Sequence, residues 1–132
     1  MADPSLALQG AIYPRLQADC PSVSGRVYDR PPQAVVFPYI GLGESQTVDD
    51  SADCVDGVEV FLTLHVWSRA VGRVEAKRIA SEVRSSLHEA ELDLGANWHF
   101  HLIEHRSTTV MDDPDGVTSH AVITFRALID AH

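Results

Sequence analysis

Cysteine is scarce in this chain. Cys20 and Cys54 are its only two among 132 residues, and they do not form a CxxC pair. That excludes a disulfide framework and the usual zinc-ribbon or thioredoxin-like motifs, so both are read as free thiols. Basic residues are also few, with 10 Lys and Arg against 19 Asp and Glu and a formal net charge of −9. General adhesion to nucleic acid needs clustered cations and is excluded; a lumen that repels passing phosphates is not. No apolar run approaches the roughly 20 residues of a membrane-spanning helix. The start, Met1-Ala2-Asp3-Pro4, lacks the basic and apolar parts of a signal peptide, so synthesis in the cytoplasm without export and no membrane partner are expected. There is no Gly-x-Ser-x-Gly elbow, and Gly41-Leu42-Gly43 is too short for a phosphate-binding loop with no Gly-Lys-Ser after it. The residues therefore offer no catalytic site and no cofactor site.

What is present centres on residues 58–90. Val58, Val60, Leu62, Leu64 and Val66 occupy alternate positions, as in a strand with one buried face. Glu59, Phe61, Thr63, His65 and Trp67 take the other face. After Trp67 the period changes. Ala76, Ile79, Ala80, Val83 and Leu87 form one apolar helical stripe, while Arg73, Glu75, Lys77, Arg78, Glu82 and Arg84 fill the outer side.

Along the rest of the chain, Asp3-Pro4 opens a helix whose stripe is Leu8, Ile12 and Leu16, with Pro14 expected to kink or split it near Ile12–Tyr13. Residues 20–25 are turn-rich, and Arg26–Asp29 reads as a short strand ended by Arg30-Pro31-Pro32. Val35–Leu42 reads as a strand that Pro38 confines to an edge or a bulge. Residues 43–57, with Asp49, Asp50, Asp53 and Asp56, are expected to be a mobile acidic hairpin or loop. Strands starting at Trp98 and spanning Thr118–Ile129 flank the turn Asp112-Asp113-Pro114-Asp115-Gly116. One domain over residues 1–132 follows, of α+β class: a two-layer sandwich of a mainly antiparallel or mixed sheet with two helices on one face.

Two clusters invite a chemical reading. Alternation places His99, His101 and His105 on one strand face, with Glu104 beside them. A metal centre needs ligands from more than one element, so the strand alone is read as a polar face and no metal site is assigned. A buried pocket lined by His99, His101 and Glu104 would instead favour a small ligand- or metal-binding enzyme domain. The acidic segment 49–56 lacks the Asp-x-Asp-x-Asp-Gly register and the terminal Glu of a calcium loop. What remains is surface: Phe61, His65 and Trp67 in a row mark either a contact face or a face covered by the chain's own first helix.

The linear order of these pieces resembles a known family. Leu6–Leu16, Val27-Tyr28-Asp29 with Pro31-Pro32, Phe37–Glu44, the acidic loop, Leu64–Ser68, Gly72 and the helix containing Glu75-Ala76-Lys77-Arg78-Ile79-Ala80 together look like the tail-terminator, or tail-completion, proteins of long-tailed phages, a family also carried by gene transfer agents. Pro14 departs from that pattern. The resemblance implies an α+β fold and a structural role without catalytic residues. It implies a homohexameric ring at the head-proximal end of the tail tube that stops its polymerisation and meets the neck. The implied partners are further copies of the chain, the major tail tube protein and a neck or stopper protein, with DNA only in transit. A neck or stopper protein on the portal side is the neighbouring alternative. Ring contacts between identical subunits are heterologous, so two different surfaces must match. The expected surfaces are the strand edge at Pro38 and Tyr39 and the face of Phe61, His65 and Trp67, with the acidic residues Asp49, Asp50 and Asp53 ordering on docking.

Overall fold

The computed structural model describes residues 3–49 and 57–131. Helix α1 (Ser5–Asp19) leads through a 3-10 turn (Pro21–Val23) into strand β1 (Val27–Tyr28). Strands β2 (Tyr39–Asp49) and β3 (Gly57–Ser68) follow, then helix α2 (Val74–Leu87) and strands β4 (Trp98–Asp112) and β5 (Ser119–Ala131). The five strands form one sheet in the order β1-β2-β3-β5-β4, antiparallel except where β1 runs parallel to β2. The longest unbroken pairing joins β3 to β5, from Gly57 opposite Asp130 to Ser68 opposite Ser119.

The alternation read from β3 is its burial pattern. Val58, Val60, Leu62, Leu64 and Val66 are buried, and every member of the α2 stripe is too. With Leu8, Ile12 and Leu16 of α1 and Ile123, Phe125, Ala127 and Ile129 of β5, these side chains belong to one hydrophobic cluster or line it, so both helices lie on one face of the sheet. Polar clamps close the helix layer: Ser86 Oγ donates to Asp19 Oδ2 at 2.7 Å, and Ser22 Oγ donates to Glu82 Oε2 at 2.6 Å. Cys20 is a free, fully buried thiol, which burial, with Glu82 and Asp19 nearby, pushes up to about 12; Cys54 lies outside the described residues.

Three expectations are corrected. Pro14 does not split α1, which runs through it. Gly10, whose carbonyl loses its amide partner, and Pro14 are both exposed, so water can reach the orphaned carbonyl. The strand expected at Val35–Leu42 begins only at Tyr39, because Pro38 has no N–H for a ladder. It then runs much further than expected, since Ser45 to Asp49 pair in register with Leu62 to Val58; residues 43–49 are strand rather than loop. Asp50 and Asp53 lie outside the described residues.

The second hairpin closes as its sequence suggests. Asp115 accepts from the amides of Val117 and Thr118 at 2.8 Å each and from Thr118 Oγ1 at 2.7 Å. Those bonds hold its carboxyl down at about 2, and Gly116 supplies the left-handed φ of 73° that the turn requires.

Candidate functional site

The helices leave the other face of the sheet open among the described residues. Its central rows come from the polar half of the alternation. Glu59, Phe61, Thr63, His65 and Trp67 of β3 stand opposite Leu128, Arg126, Thr124, Val122 and His120 of β5. All ten are half-buried, sheltered by their neighbours in the sheet but not by a second layer. The first helix does not cover Phe61, His65 and Trp67; it packs on the opposite side.

An aromatic stack occupies one end of this face. The Trp67 and His120 rings lie parallel, 3.7 Å between centroids and 10° between planes. His120 Nε2 is 2.7 Å from His65 Nδ1, and the His65 Nε2 edge faces Glu44 at 3.8 Å. Glu44 reaches this position because β2 bulges between Leu42 and Ser45. The bulge needs Gly43: a Cβ there would sit 2.6 Å from His65 Nε2 and 2.8 Å from the Thr63 carbonyl.

At the middle of the face Arg126 bridges two acids. Its Nε donates to Glu59 Oε2 and its Nη1 to Glu104 Oε1 at 3.0 Å, which ties β3, β5 and β4 together and raises the guanidinium further. Glu104 is therefore an ion-pair partner of Arg126. Next to it Ser107 and Thr124 hydroxyls meet at 2.7 Å. At the far end His101 Nε2 lies 2.6 Å from Asp130 Oδ2, with the His99 ring 4.5 Å from that of His101.

His105 does not join its expected companions. An extra residue between Phe100 and Leu102 shifts β4 by one position, which exchanges the two faces beyond it. His105 consequently stands opposite Phe125, edge-on to its ring at 5.7 Å, and its amide donates to His88 Nδ1 at 3.0 Å.

The edge expected at Pro38 is also different. Tyr39 is buried, with 8% of its surface exposed, in a cluster with Tyr28 and Phe37. Arg69 lies over the Phe37 ring at 4.0 Å, and Arg26 Nε donates to the Pro38 carbonyl at 2.8 Å. Strand β1 pairs with Ile40 and Gly41, so this stretch is not an edge; among the described residues, β2 lacks a strand on its outer side only from Leu42 onward. Asp49 ends β2, exposed and opposite Val58. Sequence reasoning missed His120, Arg126 and Asp130, whose roles depend on which strand lies beside β3 and β4.

Two imidazoles on this sheet, His120 and His105, titrate below the ordinary histidine range. Burial lowers His120 below 6.5, aided by His65 and opposed by Asp113; burial, Arg84 and His88 lower His105. A depressed folded pKa means that the unfolded chain binds more protons, so this contribution to stability is complete above about 6.5 and is lost as pH falls below it. The midpoint of thermal unfolding should fall between pH 7 and pH 5, and His120→Asn should make that fall shallower. An identical pH profile for His120→Asn would show that the stack does not titrate as described.

A cavity of about 40 Å³ lies between α1 and the sheet, lined by Leu8, Ile12, Leu42 and Leu64 among others, and it holds little more than a water.

The family model described as tail completion protein gp17 matches residues 10–130. The tail completion protein gp17 of Bacillus phage SPP1 is 27% identical over 128 residues, covering 96% of this chain and 94% of that protein. A chain in the virion of a native gene transfer agent particle superposes with a TM-score of 0.88 at 25% identity, over 98% of this chain and 99% of that one. The structure of the bacteriophage SPP1 gp17 protein gives 0.62 at 26% identity, over 93% and 88%. With the family's model spanning nearly the whole chain and the fold shared with these structures, this protein belongs to the tail completion protein gp17 family, whose members are structural tail proteins and not enzymes.

Proposed function

We propose that this protein is built into a phage or gene-transfer-agent particle as a homohexameric ring at the head-proximal end of the tail tube. There it ends polymerisation of the tube and joins the tail to the neck. Its partners are further copies of itself, the major tail tube protein and a neck or stopper protein, and DNA passes through the ring without being held. The observation that carries this reading is the near-complete superposition on a chain that sits in a gene transfer agent virion. The open sheet face supports it, since a broad half-buried surface of aromatic and paired charged groups suits a protein contact better than bare solvent. The net charge of −9 fits a ring that DNA must slide past. In the heterologous contact, the face carrying Phe61, His65 and Trp67 supplies one surface, and the edge of β2 beyond Leu42 with the acidic segment after Asp49 supplies the other.

Electron microscopy of particles from cells lacking the gene tests this directly. Overlong tail tubes, or tails unattached to filled heads, are expected, and the wild-type gene should restore joined particles. Tails of normal length properly joined to heads would overturn the proposal.

A further inference from the structure

We propose that His99, His101 and Asp130 form a binding site for one divalent transition-metal ion of the zinc class. The three residues come from two strands. His99 stands opposite Asp130 in the β4–β5 ladder, and His101 is the extra residue of the bulge between Phe100 and Leu102. The bulge lets a second imidazole reach the carboxylate that the first already faces, while Phe100 between them packs against the core. One ligand atom from each of the three lies within 4.8 Å of the others.

The donor set decides the class of ion. Two imidazole nitrogens and a carboxylate oxygen suit zinc, cobalt, nickel or copper, whereas magnesium and calcium take oxygen shells. Ligand bonds of about 2.0–2.2 Å in a tetrahedron put neighbouring ligand atoms about 3.3 Å apart. The triad therefore has to contract by at most about 1.5 Å. Both imidazoles are exposed, and Asp130, the most buried of the three, is the fixed point. Without metal, His101 and Asp130 hold each other by the 2.6 Å hydrogen bond; on binding, the imidazole takes the tautomer that carries its proton on Nδ1, so that Nε2 and Oδ2 each offer a lone pair to the ion. Three protein ligands leave a fourth position for water or for a donor from a neighbouring molecule. The site does not depend on the tail reading, because the isolated chain contains all three ligands.

Untagged full-length protein, freed of metal by chelation, should be titrated with zinc chloride by calorimetry, with cobalt absorption as a second readout. One equivalent is expected to bind in the micromolar range. His99→Ala and His101→Ala should each weaken binding by more than about tenfold, the loss that even a supporting residue outside the ligand shell causes. The double variant and Asp130→Asn should lose the tetrahedral cobalt spectrum. Saturating zinc should raise the thermal midpoint of the wild type and not that of the double variant, because an ion that binds only the folded chain stabilises it. His88→Ala, outside the triad, should bind as the wild type does. No saturable uptake up to about 100 µM, about a hundredfold above a micromolar constant, or uptake retained in a folded His99→Ala/His101→Ala variant, would overturn the assignment.

Discussion

Replacing Phe125 by alanine should cost about 3–5 kcal/mol of folding stability, and replacing Phe61 by alanine should cost about 1 kcal/mol. The two phenylalanines lie on adjacent strands of the same sheet but on opposite faces. Phe125 is fully buried, stands opposite Leu62 and receives the edge of His105, so its removal leaves a cavity that the surrounding aliphatic side chains cannot fill. Phe61 faces outward opposite Arg126 and is already partly hydrated, so its removal opens surface and not a void. For a domain whose total stability is about 5–15 kcal/mol, the first change is a large fraction of the whole and should lower the thermal midpoint by about 10–20 °C. Thermal unfolding followed by circular dichroism on both variants checks the contrast. Equal losses would mean that the Phe61 face is covered in the isolated chain, and the assembly surface proposed here would then have to be abandoned.

Legibility of the fold in the sequence followed the regularity of the backbone. Strand β3 and helix α2 keep their periods without interruption, so Val58 to Val66 and Ala76 to Leu87 identify their buried sides by spacing alone. Strand β4 does not. Its two irregularities, at Phe100/Leu102 and His105/Ser107, each exchange the faces, and a bulge inserted in a ladder leaves no mark in local composition. Counting in twos from His99 therefore sends His105 to the wrong side. The same limit hid Asp130 from the histidines, because a cross-strand neighbour 31 residues away depends on the closure and register of a hairpin. Arg126 is a further case. It reads as an isolated cation in an apolar strand until β3 and β4 are placed on either side of β5, and then it pairs with both Glu59 and Glu104. The extent of β2 was obscured for another reason. Gly43, Glu44 and Asp49 have weak strand preference, and pairing of β2 with the strongly patterned β3 overrides it.

Trp67→Ala should separate folding from assembly. In the isolated protein it removes one partner of the stack with His120 and part of the surface facing Tyr39, a loss of about 1–2 kcal/mol that leaves the chain folded. In the particle the effect should be much larger. A half-buried tryptophan ringed by polar residues is the kind of side chain on which contact energy concentrates, and losing it costs about 2 kcal/mol or more per contact, a factor of about 30 in affinity. In a closed ring the loss recurs at every subunit, so the yield of joined particles should fall by more than about tenfold even though each contact is only weakened. Trp67→Phe keeps an aromatic plane against His120 and should retain most of that yield. Two measurements on one set of strains decide the matter: protein abundance with its thermal midpoint, and the fraction of tails joined to filled heads. Normal abundance with few joined tails assigns Trp67 to a contact with another subunit or tail protein. Wild-type joining by Trp67→Ala would instead mean that the stack serves only the sheet, and the docking surface would then lie elsewhere on the molecule, with the outer edge of β2 the next place to substitute.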